Sequence, residues 1–247
     1  MASISNLRLV WFPLEHTSGV ATRLFAEFCG AEPDRSSVSR QPSVHQPAIE
    51  TAGGVWGDFD VEVQVQHGRI DMVVQPTQIG VVRESPVPPT VEASDILPKV
   101  LQGIRGVQTA IKASRLSVIA VALDLGKDLK EARDKFAAYI GYDFNVPEAS
   151  DHFFQINRRA TIEGVLCNRV VQLVVSEFQN LQISFVPGGS VQNVASASQA
   201  LMLTLDFNTA PQANEIALDA QNNIFEGLFS EIMRANDRGN LDFLRDA

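Results

Sequence analysis

The sequence predicts an α+β protein, and three observations carry that expectation. Apolar and polar residues alternate along "DFDVEVQVQHGRIDMVVQP" at 58–76, the period of a half-buried strand pair. Apolar positions recur at helical spacing in "TSGVATRLFAEFCG" (17–30) and "KDLKEARDKFAAYIG" (127–141), each closed by a glycine. Strand and helix patterns then follow in the order βαββαβ, which predicts a ferredoxin-like arrangement over 1–125 with two helices on one face of an antiparallel sheet. A helix, an antiparallel β-meander and a C-terminal helix are expected over 126–247, as a second antiparallel sheet or as a continuation of one domain.

The elements follow in order. "NLRLVWF" (6–12) reads as a first strand. The helix after it takes Thr17 or Ser18 as N-cap, sets Val20, Leu24, Phe25 and Phe28 on one face, and stops at Gly30. Residues 31–54, rich in Ser, Pro and Arg, read as a long loop. In the hairpin, a two-residue turn at His67-Gly68 pairs Val65 with Ile70, Val63 with Met72 and Val61 with Val74. The other face then carries Gln66 beside Arg69 and Gln64 beside Asp71. Four prolines make 76–94 a linker. "SDILPKVLQGIRGVQTAI" reads as a helix interrupted by two glycines, and "RLSVIAVAL" (115–123) as a buried strand. After 127–141 come "DHFFQINRR", "GVLCNRVVQLVVSEF", "LQISFVP" and "LMLTLDFN" as four strands of a meander. A last helix at 213–236 carries Ile216, Ile224, Phe225, Leu228, Phe229 and Ile232.

A chain of 247 residues with 45% hydrophobic and 20% charged residues can bury a core without staples. Cys29 and Cys167 are the only cysteines, and the first fifteen residues lack a leader pattern, so a reducing, cytoplasmic setting and no membrane are expected. The formal charge of −9 argues against a protein that coats nucleic acid. All five lysines fall at 99–135 among interleaved acids, while 136–247 holds six arginines against thirteen carboxylates.

Common catalytic patterns are missing. His16, His45, His67 and His152 form no metal-ligand spacing with one another or with the cysteines. "GGVWGD" and "PGGS" read as turns rather than phosphate loops, and no GxSxG elbow is present. No cofactor is expected, and the reading leans away from an enzyme. Asp58, Asp60 and Glu62 point one way from their strand, a row able to hold Mg²⁺ for phosphodiester chemistry. Alternation alone also predicts a solvated acidic face there.

The densest polar cluster is "DHFFQINRR" with "CNR" after it. Gln155, Asn157 and Arg159 share one face of the strand; Phe154, Ile156 and Arg158 share the other. A turn at Glu163-Gly164 pairs Ile156 with Val171 and Phe154 with Leu173, and sets Arg158 opposite Arg169. Like charges across a strand pair repel. The pair therefore calls for a buried carboxylate (Asp151, Glu163 or Asp206), a β-bulge, or a bound anion.

"GDFDVEVQVQHGRIDMVVQP", "RLSVIAVAL", "ASDHFFQINRR" followed by "CNR", and "LTLDFNT" before "NNIFEGLFSEI…RGN" together resemble a group of uncharacterised bacterial proteins of about this size. The pattern is more distantly similar to sporadically distributed bacterial proteins whose last third has a strand ending in an Asp motif and then a helix. The resemblance covers 55–240 and implies a bacterial, cytoplasmic accessory protein of patchy distribution, of the kind found in mobile or defence loci. The group often has Trp after the NR pair, where this chain has Val170.

The expected function is a non-catalytic binding or assembly subunit with a protein partner, self-association being left open. The alternative is a nucleic-acid-binding or metal-dependent nucleic-acid-processing protein. It would use Arg158, Arg159 and Arg169 for backbone contacts and Asp58, Asp60 and Glu62 for metal. A third reading is an acidic inhibitor or immunity protein steered to a basic partner.

Overall fold

The computed structural model describes residues 2–15, 17–39, 48–77, 86–142, 149, 151–186 and 189–245. Along them run β1 (Ser3–Pro13), α1 (Val20–Cys29), β2 (Arg35–Ser39), β3 (Ile49–Trp56), β4 (Phe59–Gln66), β5 (Arg69–Pro76) and α2 (Ala93–Gly106). Next come β6 (Ala113–Gly126), α3 (Leu129–Ile140), β7 (Phe153–Ile162), β8 (Val165–Val186), β9 (Gly189–Thr209), α4 (Leu218–Arg238) and a 3-10 turn (Leu241–Leu244).

The strands form one nine-stranded sheet in the order β2-β3-β4-β5-β1-β6-β9-β8-β7, with every neighbouring pair antiparallel. This overturns the expected ferredoxin-like start followed by a separate meander. Residues 31–54 are not simply a loop: their described parts supply β2 and β3, which extend the sheet outward from β4. On the other side β6 runs on to Gly126 and pairs with β9 from Ser117 to the strand end, so both halves of the chain share one sheet. "LQISFVP" is no separate strand; its first six residues are the far end of β8, which is 22 residues long. Of the "PGGS" turn, Pro187 and Gly188 lie outside the described residues, as do His16, His45 and 78–85 of the linker.

Local expectations fare better than the global one. The β4–β5 hairpin forms in the predicted register, Val65 opposite Ile70, Val63 opposite Met72 and Val61 opposite Val74. So does β7–β8, closed by Glu163 (φ 48°) and Gly164 (φ 75°), the positive dihedrals a two-residue hairpin turn requires. The N-terminus of α1 differs: neither Thr17 nor Ser18 caps it, and the Gly19 N–H instead donates to both carboxylate oxygens of Glu50 on β3, at 2.7 and 2.8 Å. Gly103 marks a close helix contact rather than a break, whereas α2 ends at Gly106, short of the expected Ile111. A Cβ on Gly103 would lie 2.6 Å from the Phe28 ring of α1.

The described helices all pack on the sheet face that carries Leu7, Leu9 and Trp11 of β1, Val118 and Ala120 of β6, and Leu203, Leu205 and Phe207 of β9, all buried. Trp11 meets Phe225 of α4 at 5.1 Å, Phe28 of α1 meets Trp56 of β3 at 5.0 Å, and Lys99 of α2 lies 5.1 Å from the Phe59 ring of β4. Lys135 of α3 reaches Asp124 of β6 at 2.5 Å. No described helix is long and apolar enough to cross a membrane.

Beyond the sheet, β8 and β9 continue as a two-stranded ribbon. β7 follows β8 only as far as Val174, and β6 follows β9 only from Gln199. From Phe178 to Leu205 the chain carries no charged residue.

Candidate binding face

Alternation along each strand divides the predicted cluster between two environments. Arg158 and Arg169 are Cα partners, as the register required, and both lie on the helix side. Arg169 is 1% exposed and donates to Glu231 of α4 at 2.9 Å and to the Leu244 carbonyl at 3.3 Å. Arg158 donates to the same Leu244 carbonyl, and Arg234 joins Glu231 at 2.6 Å. A partly buried carboxylate relieves the like-charge pair, and it is Glu231 rather than Asp151, Glu163 or Asp206. These two arginines tie the C-terminus to the sheet.

Gln155, Asn157 and Arg159 lie on the opposite, helix-free face and are exposed. There Asn157 begins a hydrogen-bonded chain that runs to β6, beside a separate pair between Gln155 and Gln172. Gln172 Nε2 donates to Gln155 Oε1 at 2.7 Å, and Asn157 Nδ2 to Asn168 Oδ1 at 3.3 Å. Asn168 Nδ2 donates to Asn208 Oδ1 at 3.0 Å, which also accepts from Arg115 at 2.9 Å. Asn208 Nδ2 and Ser117 Oγ both donate to Asp206 Oδ1, at 3.0 and 2.8 Å. Asn208 is the hub, 2% exposed and bonded to three strands' side chains.

The chain continues through an aromatic ring. The guanidinium carbons of Arg115 and Arg69 lie 4.8 and 5.7 Å from the centre of the Phe12 ring, distances at which the ring's quadrupole attracts a cation. Arg69 then makes a two-pronged pair with Asp71, at 2.7 and 2.8 Å, and Arg8 approaches Asp71 at 3.7 Å. The Asp71 hydrogen bond raises the Arg69 pKa further above its ordinary value. Side chains from β7, β8, β9, β6, β1 and β5 thus line up from Asn157 to Asp71, joined by hydrogen bonds as far as Arg115 and through the Phe12 ring to Arg69. Of these residues the sequence reading singled out Gln155, Asn157 and Arg159. Asn208, Arg115 and Phe12 were missed, because only the β6–β9 and β1–β6 pairings bring them together.

The acidic row assembles only in part: Asp60 and Glu62 share one face of β4, and Asp58 stands apart from them. Asp58 sits in the turn before β4, with its carboxylate 3.9 Å from Lys99 on the helix side. Glu62 faces Arg35 of β2 at 3.6 Å, and Asp60 stands between them along the strand. Among the described residues, no group of three or more His, Cys, Asp or Glu side chains is placed to hold a metal ion. Neither thiol is poised to attack: burial pushes Cys29 up to about 12 and Cys167 up to about 11. What the open face offers is directional hydrogen bonding and fixed positive charge. No protein-family model matches the chain, and no curated protein matches it in sequence.

Proposed function

We propose that the chain is a non-catalytic binding or assembly subunit of a bacterial cytoplasmic complex, and that its helix-free sheet face receives an acidic segment of a partner protein. The observation that carries this reading is the row of side chains from Asn157 to Asp71, which holds Arg115 and Arg69 in place on the face that no described helix covers. Such preorganised guanidiniums suit carboxylates, because their orientation is already set before the partner arrives. The face carries Arg8, Arg35, Arg69, Arg115 and Arg159 against Asp60, Glu62, Asp71 and Asp206. That balance, in a chain of net charge −9, favours a protein partner over the phosphate backbone of a nucleic acid. The uncharged β8–β9 ribbon, with backbone edges unpaired by the rest of the sheet, supports an assembly role as well. The bacterial setting, and a place in a mobile or defence locus, rest on the sequence resemblance.

The test is a tagged pull-down from the cells that make the protein, comparing wild type with Arg115→Glu. A stoichiometric partner held by wild type and lost from the variant supports the reading. Nucleic acid retained instead, and lost with Arg159→Ala, replaces it with the nucleic-acid reading. Rescue of cells from a toxic neighbouring gene product would make the partner an enzyme under inhibition.

A further inference from the structure

The two ends of the sheet are built differently. β2, at one end, is five residues long. β7, at the other, runs for ten residues with no proline, no acidic residue and no shift of register against β8. Short length, prolines, bulges and charge are what keep natural edge strands from pairing. Of these devices β7 has only Arg158 and Arg159, and Arg158 is turned inward to the Leu244 carbonyl. Large apolar side chains stand open on it, Phe153 at 63% and Ile156 at 36% exposed. The strand has the make-up of an interior strand, yet among the described residues nothing pairs with its outer side.

The hairpin turn decides which backbone groups are free. A two-residue turn makes its flanking residues, Ile162 and Val165, a hydrogen-bonded pair, and bonded pairs then alternate along the ladder. The Val175 N–H, donating to the His152 carbonyl at 3.1 Å, keeps to that alternation. Even-numbered residues of β7 therefore bond β8, while Phe153, Gln155, Asn157, Arg159 and Thr161 turn N–H and C=O outward. We infer that these groups pair with β7 of a second copy of the chain, antiparallel, about a two-fold axis at Asn157. Asn157 then faces its own counterpart, Gln155 faces Arg159 and Phe153 faces Thr161. On the helix side Ile156 faces Arg158 and Phe154 faces Ala160. Every outward group finds a partner, and no arginine stands opposite an arginine. An axis at Arg158 or Arg159 would set like charges face to face, and one nearer Phe153 would shorten the ladder. Pairing with the five-residue β2 of another copy would leave half of β7 bare. The two-fold pairing carries the sheet unbroken through both molecules and joins their helix-free faces.

Sedimentation equilibrium of the full chain, from low to high micromolar concentration, tests the inference. A reversible monomer–dimer equilibrium is expected, since one strand pair is a small interface. Asn157→Pro removes an outward N–H and leaves the β8 ladder whole, the setting in which an edge strand tolerates proline. The dimer should be lost in that variant, while its melting temperature in dilute solution stays within a few degrees of wild type. Gln155→Glu sets a carboxylate against Arg159 of the other copy, twice per dimer, and should tighten association severalfold. Arg115→Glu, away from the edge on β6, should leave the equilibrium unchanged, so the dimer and the acidic-partner reading fail separately. A chain that stays monomeric throughout overturns the inference, as does a dimer that survives Asn157→Pro or that Gln155→Glu weakens. A monomer holding a different protein at β7, released by the same proline, would give the edge to that partner instead.

Discussion

Arg169 on β8 and Glu231 on α4 meet at 2.9 Å, with the arginine side chain 1% and the glutamate 16% exposed. The pair closes a distance of 62 residues in sequence and fixes the last helix against the sheet. Taking one partner away from so buried a pair strands a charge, which costs more than the intact pair contributes. Glu231→Leu should therefore destabilise the protein by about 3 kcal/mol in urea unfolding. The double variant Arg169→Met with Glu231→Leu should recover most of that loss. Equal stability of the two variants would contradict this account.

Asn208 makes a second, independent prediction. Its amide joins Asn168, Arg115 and Asp206 while nearly fully buried. Asn208→Leu breaks all three links and leaves Arg115 without a fixed orientation, at a cost of about 2 kcal/mol. Arg159→Ala, at the exposed rim, should change stability by less than about 0.5 kcal/mol. Paired denaturation curves measure both.

The thiols should be silent. With pKa values raised to about 12 and about 11 by burial, Cys29 and Cys167 hold almost no thiolate at neutral pH. Alkylation with iodoacetamide at neutral pH should label neither in the native protein and both in denaturant, as read by intact mass. Rapid native labelling would show that one helix or strand opens locally.

Stability should also fall in mild acid. Burial, and then the nearby Arg133 charge, lower the pKa of His152 below its ordinary 6.5. The unfolded chain thus takes up a proton that the folded chain resists. His152 accordingly contributes its full share above about pH 6.5 and loses it as the pH drops from there through the lowered folded value. The curve of melting temperature against pH should flatten over that window in His152→Asn.

The ribbon should be separable from the fold. Replacing residues 181–195 with Asn-Gly joins Asn180 to Ser196, which are already partners across the strands. Because the described residues of that stretch pair only with one another, the melting temperature should stay within a few degrees of wild type. A large loss would mean that the ribbon returns to pack on the body.

Short-range relationships were legible in the sequence because each depends on alternation and a turn a few residues away. Val63 opposite Met72 and Arg158 opposite Arg169 both follow from counting outward from a hairpin. What escaped depends on partners far along the chain. Glu231 looks like any other surface glutamate of an amphipathic helix until α4 is laid on β8. Ser36 and Ser37, flanked by arginines and prolines, read as loop because β2 is an edge strand with every residue exposed, so no apolar alternation is needed there. The binding face was legible only at its β7 end, since Asn208 meets Arg115 through a pairing between strands about ninety residues apart.

The place of β1 has a consequence for biosynthesis. Of the described strands this one is made first, yet it ends in the middle of the sheet, between β5 and β6. Its hydrophobic run "LRLVWF" stays without either neighbour until the ribosome has made about sixty more residues, and without the second until β6 is complete at Gly126. For that interval the nascent chain carries a bare, sticky central strand with two open edges, the condition under which growing polypeptides aggregate. Translation speed across residues 14–126, and access to a chaperone that shields β1, should therefore govern how much of the protein reaches its native state.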